Sequence, residues 1–255
     1  MIQTDFSGKV ALITGAGSGI GQATAKAFAA LNAKVAVCDI NPEGGAETLE
    51  QIVTAGGEAL LIQADVSQTD QVQLMLQHTL DAYGQIDFAC NNAGMGGVPA
   101  KTADCTEENW DRETGVMFKG VWLCMKYEIL QMLKQGGGNI VNTASVAGLV
   151  GYENTSPTLS ACKFGVIGLT KTAALEYAQQ NIRVNAVCPG TTLSQQIINV
   201  ANQHPGLIES QEAIHPMGRL GQPSEIANAI TWLCSDQSTF VTGSTLTVDG
   251  GYTAQ

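Results

Sequence analysis

The chain is poor in the features that would tie it to a membrane, a nucleic acid or a metal. It has no apolar run of the ~18 residues or more that a membrane-spanning helix needs. Basic side chains are scarce: 12 Lys and Arg stand against 23 Asp and Glu, and the resulting net charge of -11 opposes binding to phosphate backbones or anionic lipid. That charge reads as a solubility device, so neither nucleic acid nor membrane is expected as a partner. The seven cysteines, Cys38, Cys90, Cys105, Cys124, Cys162, Cys188 and Cys234, are odd in number and form no C-x-x-C pair. Neither a disulfide framework nor a metal site is therefore expected, and most of these thiols should be packed apolar groups. No basic segment followed by an apolar core precedes the first strand, which makes the cytoplasm the expected address.

What the chain does have is alternation. Short β-branched or apolar runs at 10–14, 34–39, 60–64, 87–91, 139–143, 183–188 and 246–248 are separated by longer segments of helical period. Strands alternating with helices predict right-handed crossovers and a parallel sheet covered on both faces: a doubly wound α/β (Rossmann) fold, one domain spanning residues 1–255. Val72, Leu76, Leu80 and Tyr83 form one stripe of a helix whose start, Ser67 with Asp70, has the spacing of a capping box. Residues 106–134 predict one long helix, weakened by Gly115 and Gly120 and stopped at Gly136. Residues 191–221, broken by Pro205, Gly206, Pro216 and Gly218, are the least regular stretch and a candidate lid over a substrate.

The first strand runs straight into Thr14-Gly15-Ala16-Gly17-Ser18-Gly19-Ile20-Gly21, after which Ala23, Ala27 and Phe28 continue at helical spacing. A strand, a glycine turn and a helix start let backbone approach a diphosphate and aim free N–H groups at it. Glycines at such a junction also serve packing alone. Asp39, which closes the second strand about 20 residues on, supplies the second half of a dinucleotide site, because its carboxylate accepts from a ribose 2′-OH and repels a 2′-phosphate. NAD is thus expected over NADP; the plainer reading of Asp39 is an acid ending a strand before the Asn41-Pro42 turn.

With these motifs the sequence resembles the short-chain dehydrogenase/reductase family, whose T-G-x-x-x-G-x-G turn matches Thr14 to Gly21. The resemblance runs through Asp65-Val66, Asn91-Asn92-Ala93-Gly94, Asn142 with Ser145, Lys163, Pro189-Gly190 and the closing Val248-Asp249-Gly250-Gly251. It implies that Gly15, Ser18, Gly19, Ile20 and Gly21 hold the diphosphate and that Asp39 and Ile40 meet the adenosine sugar. Asp65 and Val66 would flank the adenine, Asn91, Ala93 and Gly94 would line the adenosine side, and Pro189, Gly190, Thr192 and Ser194 would meet the nicotinamide. It also implies a homo-oligomer, commonly a tetramer, in which the long helix and the helix of Lys163 meet their symmetry mates.

The same resemblance implies hydride exchange with a small alcohol or carbonyl, with Ser145 bonding the substrate oxygen and Lys163 holding the nicotinamide ribose. The family's tyrosine lies four residues before that lysine, where this sequence has Leu159, and its asparagine corresponds to Met117. Leucine has no proton to give, and loss of a positioned acid/base costs a factor of about 10²–10⁴. Tyr152, Ser160 and His215 are candidate substitutes, with Tyr152 placed first, and a desolvated Lys163 is another. Cys162 has no evident histidine partner and reads as a core thiol. Three functions stay open: an NAD(H)-dependent oxidoreductase with a rerouted proton, a non-redox lyase or isomerase in the same pocket, and a catalytically impaired NAD-binding or regulatory homologue, natural or engineered.

Overall fold

A computed structural model describes residues 4–151 and 155–255. Seven strands, β1 (Val10–Thr14), β2 (Lys34–Asp39), β3 (Glu58–Gln63), β4 (Phe88–Asn91), β5 (Gly138–Thr143), β6 (Ile182–Pro189) and β7 (Thr245–Val248), form one parallel sheet in the order β3-β2-β1-β4-β5-β6-β7. The near-continuous apolar content of β1, buried at every residue, is what a strand covered on both faces requires. One face is covered by α1 (Gly19–Ala30), α2 (Pro42–Thr54) and α9 (Pro223–Cys234), through Phe28, Ile52, Ile226 and Ile230. The other is covered by α3 (Thr69–Tyr83), α5 (Val121–Gln135) and α6 (Pro157–Tyr177), through Val72, Met75, Leu123, Ile129 and Val166. The strand order reverses between β1 and β4, and a crevice opens there at the carboxyl ends of the strands.

The expected strands are present, with ends shifted by one or two residues. One helix expectation needs correction and a second gains a detail. The start of α3 is Gln68, without a side-chain cap, because Asp65 takes the Ser67 amide at 2.9 Å and turns the chain before Ser67 and Asp70 can pair. The expected long helix is present and unbroken from Glu107 to Gln135, with one departure: α4 (Glu107–Thr114) passes into a π-helical turn over Gly115–Gly120 before α5 begins. The two glycines that weaken the helical pattern bracket that turn. At Gly120 a Cβ would lie 2.8 Å from Val66 Cγ2, so the turn can press against the β3 exit only without a side chain there. The αL cap at Gly136, φ 90°, ends α5 as expected. Residues 191–221 hold two short helices, α7 (Gln195–Ala201) and α8 (Leu207–Ala213).

Candidate active site

A cleft of about 660 Å³ lies over the crevice between β1 and β4. Its floor at one end is the turn between β1 and α1. Gly15 has φ 64°, a left-handed conformation, and a Cβ on it would stand 2.8 Å from Ala93 Cα, so turn and β4 exit touch backbone to backbone. Ser18 precedes α1 in an extended conformation with no side-chain cap, which leaves the first amides of the helix to the cleft. Asp39 ends β2 at the rim: its carboxylate accepts from Gly17 N at 2.7 Å and Asn41 N at 2.8 Å, and a half-exposed face remains. A glycine cradle, a helix start and a carboxylate fit a dinucleotide.

Of the residues singled out in the sequence, Gly15, Ser18, Gly19, Ile20, Asp39, Ile40, Asp65, Val66, Ala93, Gly94, Lys163 and Ser194 line this one cleft, as do Met117 and Leu159. Gly21, Asn91, Ser145, Pro189, Gly190 and Thr192 do not form its wall. Gly21 packs the helix against the turn at Gly15 O and Asn92. The Asn91 side chain is buried in the protein interior, and Asn92 takes its place in the wall. Ser145 is half-buried at the β5 exit, where its Oγ accepts from Ala147 N at 3.1 Å. Pro189 and Gly190 end β6, and Thr192 is buried in a bridge to Gly221. Tyr152 lies outside the described residues.

At the other end of the cleft the chemistry narrows to a lysine. Lys163, one helical turn after Leu159 on α6, is buried, and Nζ donates to Thr143 O at 2.8 Å. Desolvation pulls its pKa from 10.5 down to about 8, against a weak opposing pull from Cys162 and Cys188. Met117, in the π turn, is buried beside the same cleft. His215 lies off the cleft wall: Nε2 accepts from Thr191 N at 3.2 Å, which leaves Nδ1 to donate to Gln211 O at 2.6 Å, and its ring packs 5.4 Å from Tyr252. Cys162 is a buried thiol pushed up to about 11 by desolvation, unlike an activated nucleophile.

Sequence reasoning missed Asp111 and Arg112, which reach the cleft from α4, and Met95 from the β4 exit. Their signal is weak: Asp111 and Arg112 stand three to five residues before Gly115 and Val116, on the helical face that the π turn directs at the cleft. Among the described residues no cluster of His, Cys, Asp or Glu is arranged to hold a metal, and no helix is long and apolar enough to cross a membrane.

Residues 15–253 match the protein family described as enoyl-(acyl carrier protein) reductase. Over 259 residues the chain is 42% identical to a cyclohexanol dehydrogenase of an Acinetobacter species, covering 100% of this chain and 99% of that protein. A 2,5-dichloro-2,5-cyclohexadiene-1,4-diol dehydrogenase of Sphingobium indicum is 42% identical over 253 residues, covering 98% of this chain and 99% of its own. A solved structure from Agrobacterium tumefaciens, provisionally described as a 2-deoxy-D-gluconate 3-dehydrogenase and containing bound NADP, superposes with a TM-score of 0.90 at 31% identity, with both chains covered completely. The parallel seven-stranded sheet, the glycine cradle at its switch point and relatives aligned end to end lead to one assignment: the chain belongs to the short-chain dehydrogenase/reductase family of oxidoreductases, whose cofactors are nicotinamide dinucleotides.

Proposed function

We propose that the chain is an NAD(H)-dependent oxidoreductase for small secondary alcohols and ketones on six-membered carbon rings, in which Lys163 itself exchanges the proton with the substrate oxygen. The observation that carries the reading is the desolvated Lys163 on the cleft wall with the apolar Leu159 and Met117 lining the same cleft; the family resemblance would put a tyrosine and an asparagine at those two positions. The substrate class rests on the ring alcohols named for two relatives aligned over nearly their whole length, and on the apolar character that Leu159 and Met117 give the pocket.

Preference for NAD rests on Asp39 and on its surroundings. From Asp39 to Gln63 the sequence has neither Lys nor Arg, while Glu43, Glu47, Glu50 and Glu58 fall in that stretch. A 2′-phosphate would meet a carboxylate with no cation nearby in sequence to neutralise it. Gly15, Ser18, Gly19 and Ile20 would hold the diphosphate, Asp65 and Val66 the adenine, and Ser194 and the β6 exit the nicotinamide side. Once bound, the dinucleotide accepts or supplies the hydride. The remaining work is the protein's: Ser145 orients the substrate oxygen by a hydrogen bond, and neutral Lys163 Nζ accepts the alcohol proton during oxidation. In reduction the ammonium returns that proton to the developing alkoxide. Residues 191–221 close over the ring.

We place the enzyme in the cytoplasm as a homo-oligomer. Trp122, Leu130 and Leu133 on α5 and Phe164 and Leu175 on α6 are exposed apolar groups on the two helices expected to meet symmetry mates. A single-turnover assay of NADH with cyclohexanone, followed at the nicotinamide absorbance, tests the chemistry. Complete silence with NADH demonstrably bound would replace this reading with that of a dinucleotide-binding regulatory protein, which the same apolar pair at Leu159 and Met117 favours.

A further inference from the structure

The hydrogen-bond directions around Asn91 bear on the charge of a buried acid, Glu128. The Thr170 hydroxyl donates to Val166 O at 2.8 Å, so its remaining capacity is to accept, and Asn142 Nδ2 donates to it at 2.9 Å. That sets the Asn142 amide with Oδ1 toward Asn91, which must answer with its nitrogen: Asn91 Nδ2 donates at 3.0 Å. The second Nδ2 hydrogen goes to Glu128 Oε2 on α5 at 2.9 Å. Both Nδ2 hydrogens are then used, and two buried acceptors are left without a donor, Asn91 Oδ1 and Glu128 Oε1. Flipping the Asn91 amide would only oppose its oxygen to that of Asn142. A carboxylate has no hydrogen to offer, whereas a carboxylic acid has one.

We propose that Glu128 is a neutral acid whose proton on Oε1 closes a cyclic acid–amide pair with Asn91, and that ionising it loosens the β4 exit and weakens dinucleotide binding. Glu128 is a positioning residue in this scheme, and the proposal rests on the dinucleotide reading above. The route to the cleft is short. Asn91 ends β4; Asn92 N and Ala93 N both donate to Thr14 Oγ1 at 3.1 Å, and Ala93 is the residue against which the Gly15 turn is pressed. A carboxylate at 128 would set two bare acceptors against each other behind that loop.

The surroundings favour the neutral form. Glu128 is completely buried, and desolvation lifts its pKa to about 7 against the opposing pull of the Asn91 bond. The titratable groups that face it are thiols, Cys38 on β2, Cys90 on β4 and Cys124 on α5, themselves pushed up by burial. Among the described residues of α3 and α6, packed on the same helix, no cation acts on it. Because the folded pKa lies above the ordinary 4.5, the stabilisation is complete below about 4.5 and is lost as pH rises through about 7.

Two measurements test this. Infrared difference spectra of the whole protein between pH 5.5 and 8.5 should show a protonated carboxyl band that disappears with a midpoint near 7 and is missing from Glu128→Gln. Calorimetry with NADH should show the dissociation constant rising by up to about tenfold per pH unit above that midpoint in the native protein. In Glu128→Gln, whose amide N–H replaces the acid O–H, the part of that rise owed to Glu128 should be lost. Lys163 also titrates in this range, but it is common to both proteins and cancels in the comparison. Absence of the band at pH 5.5, or the same pH dependence of NADH binding in both proteins, overturns the proposal. If NADH binds at no pH, the dinucleotide reading fails, whereas the carboxyl band still decides the state of Glu128.

Discussion

The two ends of the cleft are built on different principles. At the end proposed for the nucleotide most of the groups that matter are backbone, a turn with Gly15 at φ 64° and the open start of α1, joined by one side chain, the Asp39 carboxylate clamped by Gly17 N and Asn41 N. At the end proposed for the reaction they are side chains: Lys163 with Leu159 and Met117, and Ser145 at the β5 exit. Backbone geometry tolerates little substitution because a single Cβ fills it. Side-chain chemistry can be exchanged while the scaffold stands, and Leu159 and Met117 set two apolar groups beside the lysine there.

If that contrast is right, restoring Leu159→Tyr together with Met117→Asn should have the largest effect, a gain of about 10²–10⁴ in single-turnover hydride transfer at unchanged NADH affinity. A gain below threefold would mean that the pocket was rebuilt for another reaction. Lys163→Met in the native background should remove the residual rate by a factor of about 10² or more. With Lys163 titrating at about 8, reduction should be level below that pH and fall above it, and oxidation should rise through the same point. Identical profiles in both directions would place the proton elsewhere.

The nucleotide end should respond in affinity instead of chemistry. Gly15→Ala puts a side chain at positive φ against Ala93, and NADH binding measured by calorimetry should weaken by about 100-fold, the equivalent of about 2.7 kcal/mol. Asp39→Ala should shift the ratio of NADH to NADPH affinity by about tenfold toward NADPH, the weight of one charged hydrogen bond. A ratio unaffected by Asp39→Ala would remove the basis for choosing between the two nucleotides. Smallest in effect on the cleft is Trp122→Glu, which should lower the oligomer mass seen by light scattering and leave NADH affinity within twofold.

Much of the nucleotide end was readable from the chain alone. Strand alternation, the glycines of 15–21 and the acid at 39 are local: each follows from the conformations that a few consecutive residues allow, and parallel strands with short turns bring them to one crevice. The sequence also sets Leu159 one turn before Lys163, since i and i+4 on a helix are neighbours in any fold. Tertiary structure alone decided the rest. The π turn arises where the chain of helix must fit Gly120 against Val66, a contact 54 residues apart in sequence. His215, a candidate acid in sequence, ties the β6 exit to α8. The pairing of Asn91 with Glu128 needs β4, β5, α5 and α6 all in place before either orphan acceptor exists. Local pattern fixes where backbone turns; which polar groups lose water together, and so which protons move, is settled only by packing.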